Sequence, residues 1–285
     1  MYTIRQAAAL TGVSADTLRA WERRYGVPRT ARSDGGYRLY DDHAVDLVRR
    51  MRTLVDGGQA AAQAAETVLG SDAGEAAWSP VEFVEAVIAG PTSEEELSRR
   101  LLLALESGPL AHAADAWLMP MLRLVGEAWM AGRLTPAQEH VISAAVIRRL
   151  SIAYERLPGH PGVPPVLVGL PAGSRHEIGA LTFALLLRQA GYATVYLGQD
   201  LPVESWTHAV ASWRPAAVVL AVLGSDHESA TQTLRALTDA APTLPVFVGG
   251  PFVGEAPGGA QVLPPSFAAA VAAFALAVPG SDPAA

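Results

Sequence analysis

The chain has 285 residues, half of them hydrophobic and 17% charged, a composition that supports packed domains and excludes a disordered chain. It contains no cysteine, which excludes disulfides, zinc ribbons, iron–sulfur clusters and cysteine nucleophiles. The net charge of −7 is uneven: residues 1–57 carry ten arginines against seven acidic residues, which predicts a basic, nucleic-acid-facing head on an acidic body.

Two stretches rich in proline, glycine and small polar residues divide the chain. They predict linkers at 71–79 and 158–164. The head then covers 1–70, a middle segment covers 80–157 and a tail covers 165–280. Because the three segments differ in their hydrophobic patterns, each is expected to have its own fold.

The head begins with a predicted helix–turn–helix, "YTIRQAAALTGVSADTLRAWERRYG". The turn falls at Thr11, Gly12 and Val13, and Ser14 is the expected N-cap of the second helix. Trp21 of that helix is expected in the core. The following "RSDGGYRLYDDHAVDLVRRM" predicts a hairpin wing and then a helix capped by Asp41 or Asp42.

The middle segment has the periodicity of four helices. "SPVEFVEAVIAG" starts with Ser79 as N-cap and Pro80 at the first helical position. "TSEEELSRRLLLALESG" follows, and then "LAHAADAWLMPMLRLVGEAWMAG", with a kink expected at Pro120. In "TPAQEHVISAAVIRRLSIAYERL", Thr135 and Gln138 predict a capping box. Four such helices predict a bundle.

The tail alternates apolar strands with helices. Strands are predicted at 165–170, 193–198, 216–223, 244–250 and 260–265, with helices at about 176–190, 203–213 and 227–240 and one last helix. This pattern predicts a doubly wound parallel sheet, in which ligands bind outside the carboxyl ends of the strands. The predicted fold class is therefore multidomain, α and α/β: a winged helix–turn–helix head, a four-helix bundle and a Rossmann-like, flavodoxin-type sheet.

The head resembles the DNA-binding domain of the MerR family, through its helix–turn–helix, its wing "GGYRLY" and its helix "RRMRTLVDGG". The resemblance implies double-stranded operator DNA as a partner, with the second helix in the major groove. Arginine pairs with guanine edges and with phosphates. The implied DNA contacts are Arg19 and Arg23 in the groove, and Tyr37, Arg38 and Tyr40 on the wing.

The tail is similar to cobalamin-binding domains, which carry Asp-x-His-x-x-Gly, about 41 residues, Ser-x-Leu, about 26 residues and Gly-Gly. His176 and Gly179 match the first element, Leu223 the second, and Gly249 with Gly250 the third. The resemblance implies that His176 binds cobalt from below and that the glycines make room for the nucleotide tail of the cofactor.

Two positions of the tail depart from that pattern. Ser174 stands in place of the aspartate that orients the histidine, and a ligating histidine usually donates its other N–H to such an acceptor. A serine accepts a hydrogen bond but brings no charge, which predicts a weaker donor to cobalt. Ala221 stands where a serine contacts the benzimidazole. Both changes predict weaker cobalamin binding.

The order of the three segments resembles the adenosylcobalamin-dependent photoreceptor repressors of the CarH and LitR type. This resemblance implies a homo-oligomer, dimer or tetramer, that binds its operator in the dark and is released by light. The family has a tryptophan and, ten residues on, a Glu-His pair around the adenosyl group. Trp129, Glu139 and His140 match it. The alternative for these residues is a core tryptophan and a glutamate that favours the helix dipole.

Met130 departs from the photoreceptor pattern, in which the residue after the tryptophan is commonly a histidine that captures cobalt after photolysis. Methionine is a soft, weak donor, whereas Co(III) is hard. We therefore predict no stable bis-histidine photoproduct through position 130. Release of the cofactor, coordination of water and coordination by His140 stay open.

Two other functions stay open at this point. Ser174, Ala221 and Met130 are compatible with a MerR-type regulator whose sensor binds another ligand or none. A corrinoid methyl-carrier module would share the bundle and sheet, but the head occupies the place of a substrate domain, so we expect a regulator and not an enzyme.

The chain is expected to be soluble and cytoplasmic. Its start lacks a basic segment followed by an apolar one, so no signal peptide is predicted. The 12 apolar residues between Ser266 and Pro279 are too few to span a bilayer.

Overall fold

The computed structural model describes residues 2–28, 30–32, 38–73, 78–90, 92–106, 108–222, 227–250 and 260–279. It divides into two compact units, Met1–Ala76 and Ala77–Ala285. The predicted head corresponds to the first unit. The predicted middle and tail form the second unit together.

The first unit contains the predicted helix–turn–helix and wing. Its elements are α1 (Ile4–Thr11), α2 (Ala15–Tyr25), β1 (Ala31–Arg32), β2 (Arg38–Leu39), α3 (Asp42–Asp56) and α4 (Ala61–Ala73). The Ser14 side chain accepts a hydrogen bond from the backbone N–H of Thr17 and caps α2. Gly12 ends α1 in the left-handed region, at φ +65°, where a Cβ would also meet the Arg52 guanidinium.

The wing is an antiparallel pair of short strands in which Ala31 faces Leu39. Asp41 caps α3, because its carboxylate accepts a hydrogen bond from the backbone N–H of Ala44. The helix α4 continues to Ala73, so the predicted start of the linker at 71 is wrong by three residues. Small polar residues there extend the last turn of an alanine-rich helix and do not end it.

A hydrophobic core joins the helices of the first unit. Trp21 belongs to it, as predicted, and so do residues of α2, α3 and α4: Leu18, Val48, Met51, Ala64 and Val68. This packing holds α2 on its apolar face, so that the arginine-bearing face stays exposed.

The second unit begins with the predicted bundle. Its helices are α5 (Pro80–Ala89), α6 (Glu94–Leu105), α7 (Leu110–Ala113), which continues through a π-helical turn (Ala114–Leu118) into α8 (Met119–Met130), and α9 (Pro136–Arg156). Capping boxes start α5 at Ser79 and α9 at Thr135, both followed by proline at the first position. The sequence predicted both of these starts.

The kink expected at Pro120 takes the form of this π-helical turn, Ala114–Leu118. Proline lacks the N–H that a continuous helix would use, and its ring clashes with the preceding turn. A wider π turn directly before it relieves that conflict without ending the helix.

The rest of the second unit is a parallel sheet with helices between its strands. The strands are β3 (Val166–Pro171), β4 (Thr194–Leu201), β5 (Ala217–Ala221), β6 (Val246–Gly249) and β7 (Gln261–Val262), and the helices are α10 (Ile178–Gln189), α11 (Val203–Trp213), α12 (His227–Ala240) and α13 (Phe267–Ala277). In the described residues the strand order is β4-β3-β5-β6-β7. This is the flavodoxin-type order, and its switch point lies between β3 and β5.

The bundle packs on the sheet through α9 and α10. Ile142 and Val146 of α9 share one core cluster with Ile178 of α10. At the other end of α9, the Tyr154 hydroxyl donates to the Thr194 carbonyl over 2.8 Å. The Arg188 guanidinium lies 3.7 Å from the Tyr154 ring centre, a cation–π contact.

A second contact joins the π-helical turn to the sheet. The Asp115 carboxylate accepts hydrogen bonds from the backbone N–H groups of Phe267 and Ala268, at 2.8 and 3.3 Å. It therefore provides an acceptor for two backbone N–H groups in the first turn of α13, in the way that an N-cap residue does.

In the part of the chain that the structure describes, no helix combines the length and the apolar character that crossing a bilayer requires.

Candidate functional site

The corner between α8 and α9 lies on the side of the sheet where the strands have their carboxyl ends. Tyr154, near the end of α9, meets Thr194 at the start of β4, which is the amino edge. At a rise of 1.5 Å per residue, the part of α9 from His140 to Tyr154 is roughly 20 Å long. The strand β3 spans only about 16 Å from Val166 to Pro171. Since Ile142 near the start of α9 shares a core cluster with Ile178 at the start of α10, the N-terminal turn of α9 lies near the carboxyl ends of the strands.

Two large apolar side chains are exposed at this corner. Trp129 is 51% exposed and Met130 is 75% exposed. Both end α8, which stops because Gly132 adopts φ +69°. A core tryptophan, the alternative for this position, is therefore wrong. Exposed aromatic and thioether groups next to each other suit a cover for a ligand.

The side chains of Glu139 and His140 lie close together on the first turn of α9. His140 Nδ1 lies 2.7 Å from Glu139 Oε2. The Ser143 hydroxyl donates to Glu139 Oε1 over 2.6 Å. The sequence prediction missed Ser143, although its i, i+4 spacing from Glu139 is the signal for such a contact. The Glu139 carboxylate thus lies beside the His140 imidazole, whose side chain is 80% exposed.

His176 lies in the loop between β3 and α10, on the carboxyl edge at the switch point. Its side chain is exposed. Backbone hydrogen bonds shape the loop on both sides, from Ser174 N–H to the Pro171 carbonyl and from Glu177 N–H to the Arg175 carbonyl, each 3.1 Å. The buried Ser174 thus belongs to the turn that leads to His176.

The neighbouring strand β4 contacts the same loop, which the sequence prediction missed. Asp200 Oδ1 accepts a hydrogen bond from Gly173 N–H over 2.7 Å, and Asp200 N–H donates to the Ser174 carbonyl over 3.0 Å. The Tyr196 hydroxyl donates to Glu177 Oε2 over 2.9 Å. Burial, followed by this bond to Glu177, raises the pKa of Tyr196. The available signal was the position of Asp200 at the carboxyl end of a predicted strand.

The glycines of the predicted cofactor motif differ in what surrounds them. A Cβ on Gly179 would meet no atom within 4 Å, so space is open beside the start of α10. A Cβ on Gly250 would lie 2.3 Å from the Val222 carbonyl oxygen, and the φ of Gly250 is +103°. Position 250 thus requires glycine, because the backbone of Val222 leaves no space for a Cβ. Gly249 pairs with Ala221, and Leu223 lies outside the described residues.

These residues fit a flat metal-bearing macrocycle. One exposed imidazole at the carboxyl edge can supply an axial nitrogen ligand from below. Trp129 and Met130 can cover the opposite face, and the space beside Gly179 can admit a bulky group. In the ranges that the structure describes, no group of three or more His, Cys, Asp or Glu side chains could hold a metal ion.

In the first unit, the two arginines assigned to the major groove are exposed on α2. Arg19 Nη1 lies 2.8 Å from the Asp16 carboxylate, and Arg23 follows one turn later. Arg38 of the wing is half-buried and forms an ion pair with Glu22. Tyr37 lies outside the described residues.

The assignment of Tyr40 to DNA is corrected by the structure. Its side chain is fully buried in the core, and its backbone pairs with that of Tyr2. Burial, followed by the Glu22 carboxylate, raises the pKa of the Tyr40 hydroxyl. A fully buried ring cannot touch a phosphate, so Tyr40 supports the wing from inside.

Two further arginines of the basic head have structural partners. Arg49 donates to the Leu10 carbonyl and Arg52 to the Thr11 carbonyl, both at the C-terminal end of α1. Cations there satisfy the last carbonyls of a helix. The net positive charge of the head therefore overstates the charge that is available for DNA.

Together these features define a class: a DNA-binding protein whose second unit is a ligand-binding bundle and sheet. Residues 2–69 match the model described as "MerR HTH family regulatory protein". Residues 72–154 and 164–273 match two models that are each described as "B12 binding domain".

The chain is also similar over most of its length to characterised repressors. It is 37% identical to the HTH-type transcriptional repressor CarH of Myxococcus xanthus, over 87% of this chain and 88% of that protein. It is 35% identical to the repressor CarA of the same organism, over 87% and 85%. The chain belongs to this family of MerR-type, cobalamin-binding transcriptional regulators.

One solved structure has a related fold. The monomethylamine corrinoid protein of Methanosarcina barkeri matches with a TM-score of 0.54 and 16% identity, over 68% of this chain and 96% of its own. The likeness concerns the bundle and the sheet, and it extends to the fold alone.

Proposed function

We propose that this regulator is a repressor that binds operator DNA as an oligomer when it holds adenosylcobalamin, and that light releases it. The observation that carries the proposal is the exposure of Trp129 and Met130 at the corner between α8 and α9, together with the exposed His176 at the carboxyl edge of the sheet. The similarity to CarH and CarA supports repression as the output. The role is regulatory and not enzymatic.

Each side chain of the site has a proposed part. His176 would hold the cobalt through an imidazole nitrogen, and Gly179, Ala221, Gly249 and Gly250 would line the slot for the nucleotide tail. Trp129, Met130, Glu139 and His140 contact the upper group, and Ser174 supports the His176 loop. Bound adenosylcobalamin supplies a cobalt–carbon bond that light breaks.

The coupling to DNA is proposed to follow from differential affinity. If the bundle contacts the upper group only in the assembled form, the cofactor stabilises assembly, and loss of that group removes the stabilisation. An oligomer engages several half-sites, so dissociation sharply weakens operator binding. Arg19, Arg23 and Arg38 are the proposed DNA contacts.

The experiment tests the lower ligand with adenosylcobalamin and purified full-length chain in the dark. We expect His176→Ala to weaken binding at least tenfold and to change the visible spectrum. His208→Ala is the matched control, because His208 is also an exposed histidine of the second unit, on α11. Equal affinity and spectra for wild type and His176→Ala would reject the lower-ligand role. A wild-type chain that takes up no cobalamin would favour a sensor for another ligand.

A further inference from the structure

We propose that β4 positions His176, through Asp200 on one side of the loop and Tyr196 on the other. The inference rests on the proposed role of His176 as a cobalt ligand. It assigns a role to two residues that lie outside the cofactor motif in the sequence. Both are positioning residues, which act through the loop.

The contacts bracket His176 closely in the chain. Asp200 holds Gly173 and Ser174, two to three residues before the histidine, by one side-chain and one backbone hydrogen bond. Tyr196 holds the side chain of Glu177, the residue directly after it. The loop between these two points is short, so fixing both ends restricts where the imidazole can lie.

The backbone at the end of β4 is irregular beside the residues that make these contacts. The pairing of β3 with β4 shifts register twice, between Val168 and Gly169 and again before Pro171. Beside those shifts, Gly198 has φ +86° and Asp200 has φ +57°. Irregularities of this kind re-aim side chains at strand ends. A non-glycine residue held in the left-handed region is uncommon and clusters at functional sites.

This arrangement offers a reason why Ser174 can stand where the family has an aspartate. An acidic residue at that position orients the histidine from within the loop. Here the carboxylate comes from Asp200 on the neighbouring strand and acts on the backbone of the loop. The geometry thus shows backbone anchorage of the His176 loop by Asp200.

The test compares three variants with wild type, using cob(II)alamin as the probe and chain labelled with nitrogen-15 histidine. Asp200→Gly keeps the left-handed backbone but removes the acceptor, whereas Asp200→Asn keeps an acceptor oxygen without the charge. Tyr196→Phe removes only the hydroxyl. Electron paramagnetic resonance reports whether a labelled histidine nitrogen splits the cobalt signal, and a titration gives the affinity.

Tyr192→Phe is the matched control, because the Tyr192 hydroxyl donates to the Val278 carbonyl in another part of the sheet domain. Arg214→Gly serves as a second control, since Arg214 is the other described non-glycine residue with positive φ, at the end of α11. Unfolding midpoints of the cofactor-free variants show that each is folded.

We expect Asp200→Gly and Tyr196→Phe to lose about tenfold in affinity and to weaken the labelled splitting, while Asp200→Asn and both controls match wild type. Wild-type splitting and affinity in Asp200→Gly and Tyr196→Phe would overturn this inference but leave the proposed role of His176 intact. An Asp200→Asn variant as impaired as Asp200→Gly would contradict anchorage by a hydrogen bond. No histidine splitting in the wild type would instead reject the proposed role of His176, and the inference with it.

Discussion

At the scale of single residues, exposure distinguishes Trp129 from the tryptophans of the hydrophobic cores. Trp206 is fully buried in the sheet core, and Trp21 in the head is also buried. Trp129 is half exposed, although it ends a well-packed helix. An exposed aromatic side chain contributes little to folding but a large area to a ligand that covers it.

Trp129→Ala is therefore expected to weaken adenosylcobalamin binding without unfolding the protein. About 100 Å² of newly covered apolar surface corresponds to roughly 2.5 kcal/mol, or about 70-fold in affinity. A dark titration followed by absorbance measures the affinity, and denaturant unfolding measures the stability. Trp213→Ala is the control, because Trp213 is 47% exposed at the end of α11. Equal losses of affinity in both variants would contradict the proposal that Trp129 covers the cofactor.

The sequence predicts candidate site residues that have a motif, and it gives no pattern for contacts between residues that are distant in the chain. His176 and Gly179 were placed by their spacing, and both lie at the switch point. Asp200 and Tyr196 contact the same loop from a strand more than 15 residues away, and the register shifts that aim them leave no sequence pattern. Tyr40 was assigned to DNA from its neighbours on the wing, but tertiary packing buries it.

At the scale of elements, the helix boundaries that depend on local capping residues could be predicted from the sequence. Ser14, Ser79 and Thr135 cap their helices as expected, and α11 and α12 span the predicted ranges. The π-helical turn before Pro120 was predicted only as a kink. Two residues of this turn also contact distant segments, which no local pattern predicts: Asp115 accepts from the Phe267 N–H, and the Trp117 indole donates to the Trp78 carbonyl.

We propose that α2 enters the major groove, and the Arg19→Ala variant tests this proposal. Arg19→Ala should weaken binding to a duplex selected from a random library by the wild-type chain. A bidentate base contact corresponds to about 1–3 kcal/mol, or roughly 5- to 150-fold. Fluorescence anisotropy measures the change, and cobalamin uptake should stay at the wild-type level.

Arg123→Ala is the matched control for Arg19→Ala. Arg123 is an exposed arginine of α8 with an ion pair to Glu127 one turn away, much as Arg19 pairs with Asp16. Arg123→Ala should bind the duplex like wild type. Unchanged affinity in Arg19→Ala, or an equal loss in both variants, would remove Arg19 from the proposed interface.

At the scale of the whole molecule, the bundle and the sheet belong to one compact unit, whereas the head is a unit of its own. A cofactor bound between bundle and sheet would therefore act within one unit, and its effect on DNA binding is proposed to pass through assembly. Linkage requires that the cofactor bind the assembled form more tightly than the dissociated one.

The most direct test of this account is the mass of the full-length chain in solution with adenosylcobalamin, before and after green light. Gel filtration with light scattering and absorbance detection gives the mass and shows whether cobalamin elutes with the protein. The account predicts cobalamin absorbance on an oligomer in the dark and a smaller species after illumination. The same mass in both conditions, or protein that elutes without cobalamin, would contradict it.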